Sequence, residues 1–226
     1  MTDKRSSLAL AGNPNCGKTT IFNNLTGAKQ HVGNYPGVTV ERREGLCRHG
    51  DRELLIVDLP GTYSLTAYSV DELVARKFIV EEKPDVVVNI LDAGNLERNL
   101  YLTVQLLELE RPMFTALNMA DVAETMGIKI NDEILKAKLG VEIVRTVGNR
   151  NKGMDTLLDV AINVSETEYK NSFKINYGTK IEQAIVDVEK LVESKLLHSP
   201  FAKRWVAIKL LENDKETLEY LKTLEG

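Results

Sequence analysis

Gly12-Asn13-Pro14-Asn15-Cys16-Gly17-Lys18-Thr19 reads G-x-x-x-x-G-K-T, with the apolar run Leu8-Ala9-Leu10-Ala11 before it and Thr20-Ile21-Phe22-Asn23-Asn24-Leu25 after it. A strand running into the loop and a helix leaving it are the context that a phosphate-binding loop requires. Gly12 and Gly17 let the backbone turn tightly and aim successive N–H groups inward, while a helix starting near Lys18 adds the positive end of its dipole. An anion is expected there. Lys18 is placed to reach the β- and γ-phosphates of a nucleoside triphosphate, and the Thr19 hydroxyl to ligate a magnesium ion that bridges them, with Thr20 beside it.

Composition sets the frame around this loop. The 226 residues suffice for one α/β domain and a small appendage, and 43% hydrophobic with 27% charged residues is ordinary globular usage. A net charge of -4 argues against a nucleic-acid binder driven by bulk charge. Cys16 and Cys47 lie too far apart for C-x-x-C metal spacing and form no disulfide framework, which points to a reducing compartment. Met1 to Ser7 carries no apolar signal region, and no apolar run approaches the ~18 residues that cross a bilayer. The chain is expected to be soluble and to start in the cytoplasm.

In chain order, Gly27 to Val38 is rich in Gly and Pro and reads as a mobile loop. Thr39 to Cys47 and Glu53 to Val57 flank His49-Gly50-Asp51-Arg52 as two antiparallel strands. Ser69-Val70-Asp71-Glu72 has capping-box spacing and predicts a helix from about Asp71 to Glu82, ended by Pro84. Val86 to Leu91 is a β-branched run suited to a strand covered on both faces. Leu100, Thr103, Val104 and Leu107 mark a helix, Met113 to Leu117 a strand, Asp132 to Leu139 a helix stopped by Gly140, Val141 to Val147 a last strand, and Met154 to Ile162 a last helix. This alternation predicts an α/β fold with a doubly wound, mostly parallel sheet over residues 1–167, its ligand at the carboxyl edge. Residues 168–226 predict a small all-helical unit, with Ile181, Ile185, Val188 and Val192 on one helix, Phe201, Trp205 and Ile208 after Pro200 on the next, and Leu218, Leu221 and Leu224 on the last. Such a unit buries little alone, so it is expected to pack on the first domain or on a missing part, with Trp205 in its core. His31, His49 and His198 are too scattered for a metal site.

Two further motifs name the nucleotide. Asp58-Leu59-Pro60-Gly61, at a strand end, has the D-x-x-G spacing that brings a carboxylate to the magnesium shell and the Gly61 N–H to the γ-phosphate. Asn118-Met119-Ala120-Asp121, at another strand end, has the N-x-x-D spacing of a guanine reader, in which Asp121 accepts from N1 and the 2-amino group. Adenine offers no such pair of donors, and an unpaired buried acceptor costs about 1 to 3 kcal/mol when neutral and more when charged, as a carboxylate is. Thr39 follows the mobile loop where GTPases place a threonine that binds magnesium through its hydroxyl and the γ-phosphate through its N–H. GTP hydrolysis is the expected chemistry, with Lys18, Thr39 and Gly61 among the residues that carry it.

The loop from Gly12 to Thr19, Val32 to Glu41 (V-G-N-Y-P-G-V-T-V-E), Asp58 to Leu65 (D-L-P-G-T-Y-S-L) and Leu91 to Leu100 (L-D-A-G-N-L-E-R-N-L) together resemble the bacterial ferrous iron transport protein B family, over the whole chain. The resemblance implies a cytosolic GTPase head and a helical domain resembling a dissociation inhibitor, cut from a transporter whose transmembrane region is the head's partner. It places the head at the cytoplasmic face of the bacterial inner membrane. It also implies that Asn15, with carbonyls of the Gly33 to Pro36 loop, holds a potassium ion against the phosphates and so activates hydrolysis. A homo-oligomer is compatible with the sequence, and no nucleic acid is expected.

The chain departs from the family and from common GTPases in three places. Thr62 stands where many GTPases carry a water-orienting glutamine, so slow intrinsic hydrolysis is expected, and no arginine announces itself as a charge-supplying finger. Val147-Gly148 after Thr146 replace the family's Ser-Ala, leaving the guanine O6 to backbone N–H groups. Cys16 packs as a small residue, and its place at a helix N-terminus is expected to lower its pKa and open it to oxidation. Two rival readings are a ribosome- or RNA-associated GTPase, which the neutral helical unit disfavours, and a GTP-dependent interaction module, which Thr62 keeps open.

Overall fold

The computed structural model describes residues 5–167, 173–193 and 201–223. The expected domain boundary at Glu168, together with His198, Pro200 and Leu224, lies outside these residues. Seven strands form one sheet: β1 (Ser6–Gly12), β2 (Gln30–Asn34), β3 (Glu41–His49), β4 (Arg52–Asp58), β5 (Val86–Asp92), β6 (Met113–Asn118) and β7 (Ile143–Arg145). Their order is β2-β3-β4-β1-β5-β6-β7. β3 runs antiparallel to both neighbours, and every other pairing is parallel.

β1 shows why the sheet is covered on both faces. Leu8 and Leu10 point into one apolar cluster, with Ile21 and Phe22 of α1 (Lys18–Thr26) and Leu157 and Ala161 of α6 (Met154–Glu166). Ala9 and Ala11 point into the other, with Val74 of α2 (Val70–Lys77) and Leu102, Leu106 and Leu107 of α3 (Leu96–Glu108). The period of two along a strand sends alternate residues to opposite cores, so an uninterrupted apolar strand needs helices on both sides.

The structure differs from the sequence expectations in local ways. Gly27 to Val38 is not wholly irregular, because residues 30–34 form edge strand β2, paired from Gln30 with Gly45 to Asn34 with Glu41. The Gly and Pro residues sit mainly at its ends, and the cross-strand ladder supplies order that composition does not reveal. Tyr35 then anchors the loop. Its ring is buried and meets Phe78 edge-on at 6.2 Å, and its N–H donates to the Val40 carbonyl at 3.0 Å. The helix expected to Glu82 stays α-helical only to Lys77 and ends as a π-turn over Phe78–Glu82, with Lys83 left-handed at φ 50° before Pro84. Its predicted capping box is present in both halves, Ser69 accepting from the Glu72 N–H and Glu72 from the Ser69 N–H. The strand expected over Val141 to Val147 is only β7, and a short α4 (Ala120–Thr125) follows Met119. α5 (Asp132–Leu139) ends at Gly140 as expected.

The second unit contains α7 (Thr179–Val192), α8 (Lys203–Leu211) and α9 (Lys215–Thr223). It packs on the first. Val192, Trp205 and Val206 belong to the same apolar cluster as Val74, Ala75 and Leu106. Arg76 of α2 ties the units together: its guanidinium lies 3.0 Å from Asp214, donates to the Leu65 carbonyl at 3.3 Å and sits 5.4 Å from the centre of the Trp205 ring. The Tyr177 hydroxyl donates to Glu108 of α3 across the same junction. Trp205 is therefore buried, but in the junction between the units and not in a core of the helical unit alone, where it was expected.

Candidate nucleotide site

Most of the expected site residues converge at the carboxyl edge of the sheet. β1 ends at Gly12, β4 at Asp58 and β6 at Asn118, while Thr146 follows β7. Because β1 and β5 lead to crossovers in opposite directions, their ends leave the crevice in which α/β sheets bind ligands.

Two glycines close the phosphate loop. A Cβ on Gly12 would lie 2.6 Å from the Ile90 carbonyl and 2.7 Å from Cys16 Sγ. Gly17 has φ 85°, and a Cβ there would meet Asn118 Nδ2 at 2.3 Å. Only a residue without a side chain fits a left-handed turn pressed against another backbone or amide. α1 then begins at Lys18, and the Lys18 ammonium is ion-paired with Asp58, both side chains being buried. The Thr19 hydroxyl donates to the other Asp58 oxygen at 3.2 Å. A lysine, a hydroxyl and one carboxylate at a helix N-terminus form an array of hard oxygen donors and one cation. Magnesium bound chiefly through phosphates takes one or two protein oxygens, and this array has them.

Asn118, expected to read the base, holds the frame of the site together. It is 2% exposed, its Nδ2 donates to the Cys16 carbonyl at 2.9 Å, and its Oδ1 accepts from Thr146 Oγ1 at 3.2 Å and from the Gly148 N–H at 3.0 Å. One carboxamide thus staples phosphate loop, β6 and the 146–148 turn. The Val147 N–H donates to the Lys152 carbonyl at 3.1 Å. An O6 acceptor would therefore share the Gly148 donor with Asn118. Met119, left-handed at φ 58°, turns the chain so that Asp121 enters the first turn of α4. There Asp121 is half-buried, accepts from the Val122 N–H at 3.0 Å and lies 3.6 Å from Arg150.

The other expected residues lie around this frame. Asn13 is buried, Pro14 packs within 3.3 Å of where a Gly61 Cβ would be, and Leu59 and Thr62 donate backbone bonds to the Leu10 and Gly12 carbonyls at 3.1 and 3.2 Å. Pro60 is half-buried at the turn, and Thr20 packs toward Gly148. Asn15 is exposed, with φ 66°. Thr39 is exposed too, and among the described residues its hydroxyl has no hydrogen-bond partner, so it is not joined to Thr19 and Asp58. The Thr62 side chain is buried at 5% exposure.

Cys16 corrects the expectation of a reactive thiol. Burial pushes its pKa up to about 11, overriding the hydrogen bonding and charge of Lys18 that pull it down. Desolvation disfavours the thiolate more than the helix end favours it. Sequence reasoning also missed Asn24, whose Nδ2 donates to the Gly148 carbonyl at 2.7 Å, and Arg150 beside Asp121. Asn24 lies one helical turn beyond Thr20, so the i,i+4 spacing was the available signal.

The sheet, the loop and the two strand-end motifs define the class: a phosphate-loop nucleotide-binding domain of the guanine-reading type with a helical appendage. Residues 6–161 match the family described as "Ferrous iron transport protein B", and residues 177–225 the "FeoB cytosolic helical domain". The chain belongs to the ferrous iron transport protein B family. It is 49% identical over 213 residues to a Porphyromonas gingivalis Fe(2+) transport protein A/FeoB fusion protein, covering 92% of this chain and 25% of that protein. It is 41% identical over 216 residues to the Fe(2+) transporter FeoB of Escherichia coli K12, covering 93% of this chain and 27% of the relative. The chain thus spans about a quarter of these relatives. The cytosolic domain of the T. maritima FeoB iron transporter in its GMPPNP form superposes with a TM-score of 0.92 at 35% identity, covering 97% of this chain and 86% of that one.

Proposed function

We propose that this chain binds GTP and GDP with magnesium, hydrolyses GTP slowly, and serves as the cytosolic switch of a membrane ferrous iron transporter. The observation that carries the reading is the meeting of Lys18, Thr19 and Asp58 at the start of α1, on a frame that Asn118 staples to the 146–148 turn. Lys18 and the loop N–H groups would hold the phosphates, Thr19 and Asp58 the magnesium, and Asp121 the guanine N1 and 2-amino group. Magnesium bound there would neutralise charge developing on the β- and γ-oxygens. Thr39 would join it when the Tyr35–Val40 turn closes over the site, and Gly61 would meet the γ-phosphate. Relatives solved in GDP and GMPPNP forms support the nucleotide, and the Fe(2+) transporters of the family support the larger role at the cytoplasmic face of the membrane, with the transmembrane region as partner.

With Thr62 buried, no side chain directly after D-x-x-G is free to orient water. A potassium ion held by Asn15 and carbonyls of the Gly33 to Pro36 loop would supply the missing charge. The test is steady-state hydrolysis of GTP and ATP, with and without magnesium, in potassium and in sodium buffers. The reading expects magnesium-dependent turnover of GTP alone, faster in potassium, and loss of the potassium advantage in Asn15→Ala. Equal turnover of ATP would refute it. The buried Thr62 also favours a second reading, a GTP-dependent interaction module with incidental hydrolysis, which a nucleotide-dependent change in Trp205 fluorescence without turnover would support.

A further inference from the structure

Arg98, in the first turn of α3, has no place in the expected site, and among the described residues its guanidinium enters no ion pair. It lies instead over the ring of Tyr63, 4.2 Å from the ring centre. The same residue is tied to the phosphate loop through its backbone, its carbonyl accepting from Asn13 Nδ2 at 3.5 Å. Asn13 is 3% exposed, and its Oδ1 has no partner. Tyr63 directly follows Gly61 and Thr62, whose backbone rests on Pro14 and on the Gly12 carbonyl. The turn from Gly61 to Tyr63 is thus gripped by the phosphate loop on one side and by Arg98 on the other.

We propose that Arg98 is a positioning residue for hydrolysis: through Tyr63 it fixes the Gly61–Tyr63 turn over the phosphate loop. This deepens the GTPase reading and rests on it. With Thr62 buried, the backbone groups of the Gly61–Tyr63 turn would share with Lys18 the task of orienting the terminal phosphate and the attacking water, and backbone donors act only when held in place beforehand. The cation–π contact supplies that hold. Both partners are exposed, so the contact has surface strength and its loss is worth a factor of about three to five.

The experiment is single-turnover hydrolysis at saturating GTP and magnesium, with GDP affinity measured alongside. Arg98→Ala and Tyr63→Leu should each slow hydrolysis about threefold to fivefold. The double variant should be no slower than either, because both changes remove one contact. Arg98→Lys and Tyr63→Phe, which keep a cation and a ring face, should recover at least half of the lost rate. GDP affinity should stay within about twofold of wild type in all of them, since a positioning role acts on the transition state alone. Multiplicative losses in the double variant, unchanged rates in the singles, or a parallel fall in GDP affinity would overturn the inference. A wild-type chain without turnover would overturn the hydrolase reading and this inference with it, whereas wild-type turnover with insensitive variants overturns this inference alone.

Discussion

Asn118→Ala should destabilise the protein before any nucleotide is added. The side chain is 2% exposed and makes three contacts, at 2.9 Å to the Cys16 carbonyl, 3.2 Å from Thr146 Oγ1 and 3.0 Å from the Gly148 N–H. Truncation leaves these three groups buried and unpartnered, and at the low end of the cost of such groups, about 1 kcal/mol each, the loss comes to about 3 kcal/mol. For a chain of this size about 1 kcal/mol shifts the melting temperature by about 2–4 °C, so a fall of about 6–12 °C is expected. Thr146→Val removes one of the three contacts and should lose about a third as much. The assay is thermal unfolding of nucleotide-free protein followed by far-UV circular dichroism. If Asn118→Ala melts within about 2 °C of wild type while its GDP affinity collapses, Asn118 only reads the base and the staple contributes nothing.

Three other outcomes follow from the same contacts. Asp214→Ala leaves the buried Arg76 cation, among the described residues, with only the Leu65 carbonyl and the Trp205 face; a loss of about 3 kcal/mol is expected, read by urea unfolding with Trp205, the sole tryptophan, as reporter. The Arg204 fork, at 2.9 and 3.0 Å, and the Tyr177 N–H hold the Glu182 carboxyl down at about 2. A depressed folded pKa gives stability that is full above the ordinary 4.5 and is lost as pH falls toward 2, so Glu182→Gln should flatten the acid side of a melting-temperature profile across that window. With its thiol raised to about 11, Cys16 should resist iodoacetamide at pH 8 until the protein is unfolded, and labelling of the native protein within minutes, located by mass spectrometry, would contradict the burial argument.

What was legible in the sequence was what local chemistry dictates. The glycine spacing, Lys18 and Thr19 announce a strand–loop–helix because only glycine tolerates a φ of 85° against Asn118, and β5 reads as a two-faced strand because six of its residues are buried. β2 was illegible because its order comes from pairing with β3, a long-range partner that Gly33, Pro36 and Gly37 conceal. The thiol of Cys16 was misread for a related reason: helix-end electrostatics can be seen in a sequence, whereas the burial that outweighs it is a property of the fold. The role of Asn118 as a staple, and the meeting of Arg98 with Tyr63, likewise depend on elements brought together by the sheet.

The proposed function rests most directly on Asp121 as the proposed reader of guanine. The direct measurement is calorimetric titration of wild type and Asp121→Asn with GDP, ADP and xanthosine diphosphate. Wild type should bind GDP and not ADP. In the variant a carboxamide donor replaces a carboxylate acceptor, so GDP affinity should fall by at least about a hundredfold and xanthosine diphosphate, with an oxygen in place of the 2-amino group, should become the better ligand. Equal binding of GDP and ADP by wild type, or unaltered GDP affinity in Asp121→Asn, would contradict it.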